Sequence, residues 1–339
     1  MKIFVICLLA GAFMYTGHID AQQVSDLSDP EIGIVKSVED WNVPFDERWS
    51  RDPYVAPDGS IYFVGQWTHY VGRFNPVTEE FREYELDDGT GPHTVVVSSE
   101  GAVWFTSFSD DHIGSVDPES GEVVKYETEN YLRGPHTIAF DRNENFWFTA
   151  YRGNGIGHFD VSTGEITGLE VPTPGGTPYG IVMSPDMAQP WFGYFGSNRI
   201  ATVNPESMEI EEVVLPREEI RVRRLNVTSD GRVWYGDYAG GMLGVYDPSD
   251  GSIREWPMPH GEDSRPYAVL TDDRDRLWIS ATGLNPNHLV LFDTVNEEFQ
   301  GSVEIPVGRG AIRNMNFDPE NRAIWFGTDI GYIGRLVID

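Results

Sequence analysis

Seven side chains able to move protons or hold anions recur along this 339-residue chain: Arg51, His93, His136, Tyr179, Arg223, Tyr267 and Arg313. Successive members are 42, 43, 43, 44, 44 and 46 residues apart. Histidine accepts a proton near neutral pH, tyrosine can return one, and arginine holds a carboxylate, a phosphate or a developing oxyanion. Together these abilities suit β-elimination. A base removes the proton beside a carbonyl, a cation holds the enolate-like charge, and an acid protonates the leaving oxygen. His93 and His136 are the candidate bases, with Tyr179 and Tyr267 as candidate acids. Arg51, Arg223 and Arg313 are the candidate substrate-binding cations.

Such residues act together only if the fold brings them to one place. Eleven or twelve residues after each of them an aromatic pair closes a strand: Tyr62-Phe63, Trp104-Phe105, Trp147-Phe148, Trp191-Phe192, Trp234-Tyr235, Trp278-Ile279 and Trp325-Phe326. A strand-rich period in the low forties is the signature of a β-propeller, with one four-stranded blade per repeat. The chain therefore reads as all-β, a seven-bladed propeller of antiparallel blades. Each polar anchor opens an innermost strand, so the seven should ring the central channel at one mouth. That ring holds three Arg, two His and two Tyr and, on this reading, no carboxylate. Arg133, Arg152, Arg224, Arg265 and Arg309 lie near it in sequence. The neutral reading is that these side chains bond to loop carbonyls and plug the channel. The aromatic pairs are expected to be core, buried as neighbouring blades stack. Gly72, Gly114, Gly157, Gly244 and Gly334 are expected to let sheets approach closely. The strand Ile34–Glu39 precedes any complete blade, and Tyr332–Val337 has no outer partner after it. The first should close the ring by completing the last blade, since an open ring would leave two pairing edges.

Residues 1–21 begin with one lysine and an apolar stretch and reach a small residue, Ala21, which predicts a secretory signal peptide too short to cross a bilayer as a helix. Residues 22–31 are then a short linker, and 32–339 one propeller domain. Cys7 is the only cysteine, so a mature chain would have neither thiol chemistry nor a disulfide. A periplasmic or secreted location follows. With a formal charge of −30, the chain lacks the basic surface that nucleic acid or an anionic membrane requires. The expected partner is an anionic small molecule, and the expected state a monomer. Asp272-Asp273-Arg274-Asp275 reads as hairpin-turn chemistry and not as a calcium loop. Gly153-Asn154-Gly155-Ile156-Gly157 has the wrong spacing for a dinucleotide turn. His112, His158, His260 and His288 are expected to be solvated.

The phrases Gly91-Pro92-His93, Gly134-Pro135-His136 and Thr177-Pro178-Tyr179-Gly180-Ile181 open blades. Trp104-Phe105-Thr106, Trp147-Phe148-Thr149 and Asn198-Arg199-Ile200 follow at matching places. From about residue 48 onward the chain resembles the virginiamycin B lyase (streptogramin B lyase) family of seven-bladed propellers. The resemblance implies elimination without water at the ester of a cyclic depsipeptide. It also implies histidines at neighbouring anchors, here His93 and His136, and a magnesium ion held by acids. In the family one acid stands two residues before an anchor histidine and another follows Trp-Phe-Thr. Here those places hold Gly91 and Gly134, and Ser107 and Ala150, so the magnesium ligands are not matched. Only Asp237, after Trp234-Tyr235-Gly236, fills the second place, and it is set down as a substrate-binding candidate. Two readings stay open. One is a carbon–oxygen lyase acting on an anionic or lactone-containing small molecule at the funnel. The other is a non-enzymatic periplasmic propeller that binds an anionic small molecule or a protein.

Overall fold

The computed structural model describes residues 32–45, 49–306 and 310–339, together with the backbone of Ile19–Asp20. Among them are seven four-stranded antiparallel units, and in six of them each strand pairs with the next in sequence. Blade two is typical, with Pro92–Val97 innermost, then Val103–Ser107, His112–Val116 and Val123–Glu127 outermost. The innermost strands adjoin one another around the axis, and that of blade seven, Met315–Asp318, meets that of blade one, Ser50–Val55. The ring closes as the sequence leads one to expect, because Val35–Asn42 pairs antiparallel with Tyr332–Ile338 and supplies the outer strand of blade seven. Ile19–Asp20 adds two residues of pairing to that strand. The rest of the signal-peptide and linker segment lies outside the described residues, as do Arg309 and its neighbours.

The aromatic pairs are core, and they divide between the two faces of each sheet as period-two alternation requires. Trp104 packs toward blade three, its ring 5.6 Å from Phe146 and 5.1 Å from Phe159. Phe105, one residue on, joins Tyr62 and Val64 of blade one. One dipeptide thus cements two interfaces. The third-strand glycines have a different role from the expected one. A β-carbon at Gly72, Gly114, Gly157, Gly244 or Gly334 would strike the ring of Phe63, Phe105, Phe148, Tyr235 or Phe326 within its own blade. Each glycine makes room for the aromatic directly across the strand pair, so the constraint is intrablade ring placement and not sheet-to-sheet distance.

The innermost strands share a device that the site depends on. In six blades the pairing register slips at or next to the anchor, between Arg51 and Tyr54, Pro92 and Val95, Pro135 and Ile138, Pro178 and Ile181, Val222 and Leu225, and Pro266 and Val269. Such a bulge sets two residues against one and re-aims their side chains. It also leaves a backbone N–H without a ladder partner. Three hydroxyls repair this and tie blades together. Thr106 accepts from Thr94 N (3.1 Å) and donates to His136 O of the next blade (2.8 Å). Thr149 accepts from Thr137 N and donates to Tyr179 O, and Ser280 links Ala268 N to Ile312 O. The threonine of Trp-Phe-Thr is therefore an interblade clamp. At the equivalent Gly193, the next blade packs so close that a β-carbon would lie 2.4 Å from Val222 Cγ1.

Candidate functional site

The bulges turn the anchors inward, and six of the seven meet through direct side-chain contacts. The His93 and His136 rings lie 3.5 Å apart between centroids, and Tyr179 is 4.0 Å from His136. The Tyr179 and Tyr267 hydroxyls share a hydrogen bond. Arg223 Nη1 donates to both, at 2.7 and 3.1 Å, and Arg313 Nη1 donates to Tyr267 at 3.3 Å. Arg51 sits in the same charged cluster, bonded to Gln66 Oε1 at 2.7 Å and close enough to influence both tyrosines. Five anchors are buried: Arg51, His93, His136, Tyr179 and Tyr267 are each at most 6 % exposed. Arg223 and Arg313 are half-buried.

A second ring lies over the first, and sequence reasoning missed it. It comes from the residue four places after each blade's Trp or equivalent: Gln66, Phe108, Tyr151, Phe195, Tyr238, Thr282 and Asp329. Four of these bridge consecutive anchors. Phe108 touches His93 and His136, and Tyr151 touches His136 and Tyr179. Phe195 and Tyr238 flank the Arg223 guanidinium at 4.1 and 4.3 Å, a cation–π geometry that holds a charge without neutralising it. Asp329 clasps Arg313 with both oxygens. The signal was present at the same phase in every repeat, but an aromatic after a core strand passes for more core.

The expected absence of carboxylates is corrected by Asp329 and, more deeply, by Asp52. Asp52 follows Arg51 in the bulge, in a left-handed backbone conformation (φ 49°) that Asp tolerates better than most residues. It is 1 % exposed. Its Oδ1 accepts from Arg51 Nε at 3.0 Å, and its Oδ2 from Arg224 Nη2 at 2.6 Å and Thr94 Oγ1 at 2.9 Å. Burial opposes the charge on Asp52, but Arg224 and Arg51 outweigh it and hold the carboxyl below its usual range. Because Thr94 Oγ1 donates to Asp52, its 3.1 Å contact with His93 Nδ1 requires the proton on Nδ1. That leaves a lone pair on His93 Nε2.

Burial lowers both histidines well below the ordinary value, and Arg51, Arg224 and Arg313 lower His93 further. On His136 burial is followed by His93, Arg224 and Arg51. These rings are neutral and weaker bases than free histidine. Tyr267 moves the other way from a usual buried phenol. Burial raises it, but Arg223, Arg51 and Arg313 overcome that and bring it down to about 8. Tyr179, with burial and Tyr267 against its ionisation, is pushed up. The two titrate as a pair whose first proton leaves readily.

Asp237 is not brought to the ring. It is fully buried and accepts from Arg217 Nη2 and from the backbone N–H of Arg221 and Ala239, which fixes the loop leading into its blade. His112 is likewise not solvated but buried beside Phe105, with Nδ1 against Asp110 O. Nor do the places of the family's metal ligands suit magnesium. Gly91 and Gly134 have φ of 56° and 66°, and a β-carbon on them would meet Ser109 and the Arg152 side chain. Ser107 spends its hydroxyl on Thr90 O. Neutral residues stand where the ion's acids would be needed, and the nearby Asp111 carboxylate is already paired with Arg152 and with the Gly134 N–H.

The fold matches several solved structures. Virginiamycin B lyase from Staphylococcus aureus, as selenomethionine protein, superposes with a TM-score of 0.81 at 24% identity, over 89% of this chain and 99% of that one. A streptogramin B lyase structure gives 0.80 at 21%, over 89% and 97%. Hydrazine synthase of Kuenenia stuttgartiensis gives 0.70 at 15%, over 85% and 94%. At these identities the likeness is one of fold. A comparison with curated protein sequences gave no match. The sequence profile of the virginiamycin B lyase family, however, matches residues 37–336. With nearly all of the propeller inside that match, the chain belongs to the virginiamycin B lyase family.

Proposed function

We propose that the anchor mouth takes an anionic small molecule with an apolar or aromatic flank and breaks a carbon–oxygen bond in it by β-elimination. The observation that carries this reading is the environment of the Tyr267 oxygen. Arg223, Arg313 and the Tyr179 hydroxyl all converge on it. Three donors suit a phenolate, which has three lone pairs to offer, better than a phenol. Tyr267 is then the base: when the substrate's anionic group draws off Arg313, whose 3.3 Å contact is the longest of the three, the freed lone pair removes the proton beside a carboxyl, ester or lactone carbonyl. The carbon–carbon double bond forms as the carbon–oxygen bond breaks, and the leaving oxygen takes the Tyr179 proton. Transfer across the Tyr267–Tyr179 hydrogen bond restores both groups, and no water is consumed. Arg223 and Arg313 hold the developing negative charge. This reverses the role that spacing alone suggests for Tyr267, and leaves His93 Nε2 to accept a hydrogen bond from the substrate. The aromatic rim of Phe108, Tyr151, Phe195 and Tyr238 would flank the ligand. Family membership supports a lyase, and the unsuited magnesium positions argue for a substrate other than the family's depsipeptides. We also place the mature protein in the periplasm or outside the cell, supported by the apolar run before Ala21.

The test is to screen acidic lactones, uronate oligomers and cyclic depsipeptides for a near-ultraviolet-absorbing unsaturated product. Tyr267→Phe should lower turnover about 10²–10⁴-fold. Unchanged turnover in that variant, or a product that has gained water, would overturn the elimination. The burial of five anchors favours a second reading, a non-enzymatic periplasmic propeller that binds an anion or a protein partner. A ligand that raises the melting temperature and is recovered unaltered would decide for it.

A further inference from the structure

One side of the mouth takes no part in the elimination chemistry. Trp49 stands two residues before the Arg51 anchor, and Trp67 lies in the turn between Ile61–Gly65 and Tyr70–Asn75, next to Gln66 of the second ring. The Arg313 guanidinium carbon is 5.3 Å from the Tyr267 ring centre and 4.9 Å from that of Trp49. Trp49 in turn meets Trp67 at 6.2 Å and nearly at right angles. A continuous path thus leads from the Tyr179–Tyr267 pair through Arg313 to Trp67, which is 51 % exposed. Among the described residues, Trp67 and Tyr131 are the only exposed aromatics. Trp49 has a φ of 71°, where a bulky side chain is rarely found, and its N–H donates to Asp329 O at 3.1 Å. Backbone strain of this kind gathers at ligand sites.

Shape and charge limit what can lie on Trp67. Two indoles at right angles leave no parallel slot between them, so an occupant stacks on one face and keeps its other side in water. A flat aromatic group would leave half its apolar surface wet. A sugar ring instead offers C–H groups to the indole and hydroxyls to the solvent. The adjoining segment also disfavours added negative charge. Residues 86–91 are tied to this turn by Leu86 N–H to His69 O (2.8 Å) and Gly91 N–H to His69 Nδ1 (3.0 Å), and they carry the exposed Asp87 and Asp88. The chain as a whole has a formal charge of −30. A ligand carboxylate therefore belongs with Arg313 and Arg223, and whatever extends past them toward Trp67 has to be neutral.

We propose that Trp67 is a sugar-stacking subsite and that the substrate is a uronate joined to a neutral sugar. A uronate holds in one ring what elimination needs: a carboxyl, a proton on the carbon beside it and an oxygen substituent on the next carbon. The proposal rests on the elimination reading for the placing of that carboxylate at Arg313. The order Tyr179, Tyr267, Arg313, Trp49, Trp67 then assigns sides. The proton goes to Tyr267 and the carbon–oxygen bond breaks toward Tyr179, so the departing sugar lies on the Tyr179 side and leaves with the Tyr179 proton. The sugar on Trp67 lies beyond the carboxylate. It is linked through the anomeric oxygen of the uronate and stays with the unsaturated product.

Calorimetric titration of the full-length mature protein with glucuronosyl-glucose and galacturonosyl-glucose, against the methyl uronides and phenyl glucuronide, tests it. These disaccharides carry a hydroxyl in place of the departing sugar, so they report binding whether or not elimination occurs. The better of the two should bind about tenfold more tightly than its methyl uronide, the weight of one good aromatic contact. Trp67→Ala should erase that advantage and leave methyl uronide affinity unchanged, and Trp67→Phe should keep part of it. Equal affinity of disaccharide and methyl uronide, or an advantage that survives Trp67→Ala, would overturn the subsite. So would phenyl glucuronide binding as tightly as the disaccharide, since an aromatic group would then be the occupant. Absence of binding by every uronide would also overturn it. The two readings fail separately. Disaccharide binding that Trp67→Ala weakens, with no turnover of longer uronates, would uphold the subsite and overturn the elimination. Uronate turnover whose KM ignores Trp67→Ala would do the reverse.

Discussion

His93 and His136 occupy the same backbone position as Arg223 and Arg313, yet the two sides of the ring are opposite environments. Blades two and three present neutral imidazoles packed against each other at a tilt and capped by Phe108 and Tyr151. Blades four to seven present two guanidiniums around a phenol pair, capped by Phe195, Tyr238 and Asp329. The bulge that aims the side chains is common to the histidine blades and to those of Arg223 and Tyr267, while Arg313 reaches the mouth from just before its strand. Residue identity separates an apolar half from a cationic half. A repeat fold thus supplies positions, and the chemistry arises where the repeats disagree. Asp52 joins the halves, bonded toward His93 through Thr94 and toward Arg51 and Arg224 directly.

The strongest way to break that comparison is Asp52→Asn. It removes the negative charge between two buried arginines, and losing one partner of a buried pair costs about 3–5 kcal/mol. Urea unfolding should show a loss of that size. Stability within 1 kcal/mol of the parent, roughly the scale of an exposed pair, would mean that the halves do not depend on Asp52. Thr149→Ala is the next largest. It orphans the Thr137 N–H and the Tyr179 carbonyl at one stroke, worth about 1–3 kcal/mol for buried groups left unsatisfied. A Tm equal to the parent's would remove the clamp from the account of how blades three and four align.

Titration separates the halves by sign. His93 and His136 are depressed, so below the ordinary histidine value of 6.5 the unfolded chain binds protons that the folded chain refuses. Stability should therefore fall with decreasing pH below about 6.5, by up to roughly 1.4 kcal/mol per pH unit for each ring. The groups facing them are Asp52, Arg51, Arg224, Arg313, Tyr179 and Tyr151. His93→Gln should shallow the slope. Tyr267, at about 8 against an ordinary 10.0, gives up its proton first in the folded state. Stability should accordingly rise as pH goes from about 8 to 10, with one tyrosinate absorbing in that window and absent in Tyr267→Phe. Tyrosinate absorbance that begins only above pH 10 would remove the cationic half's influence on Tyr267.

Blade number, closure by the N-terminal strand and the axial convergence of the anchors were legible because each rests on a period, and a period survives variation at single positions. What stayed hidden is contact made across repeats. Asp52 looked like an ordinary strand residue, since nothing in Arg51-Asp52-Pro53 reveals that Arg224, 172 positions away, meets it. Asp237 was misplaced for the complementary reason, since matching a motif position cannot say that Arg217 and two backbone amides already hold its oxygens. The second ring could have been found by asking which other phase of the repeat carries varied, function-capable residues. The reversed role of Tyr267 could not, because it depends on three guanidiniums from three blades.

The smallest expected effect tests whether the rim matters beyond packing. Arg152 lies with its guanidinium 5.3 Å from the Phe108 ring centre and pairs with Asp111, both partners partly in solvent. Exposed pairs of this kind contribute about 0–1 kcal/mol, so Arg152→Ala should lower stability by less than 1 kcal/mol in urea. Its neighbours are the neutral half of the ring, and Tyr267 gains nothing from it, so the tyrosinate titration should stay near 8. A shift of that titration toward 10 would mean that charge on the apolar side reaches across the mouth. The division between halves would then be a gradient, and Arg152 would join the cations that an entering anion meets.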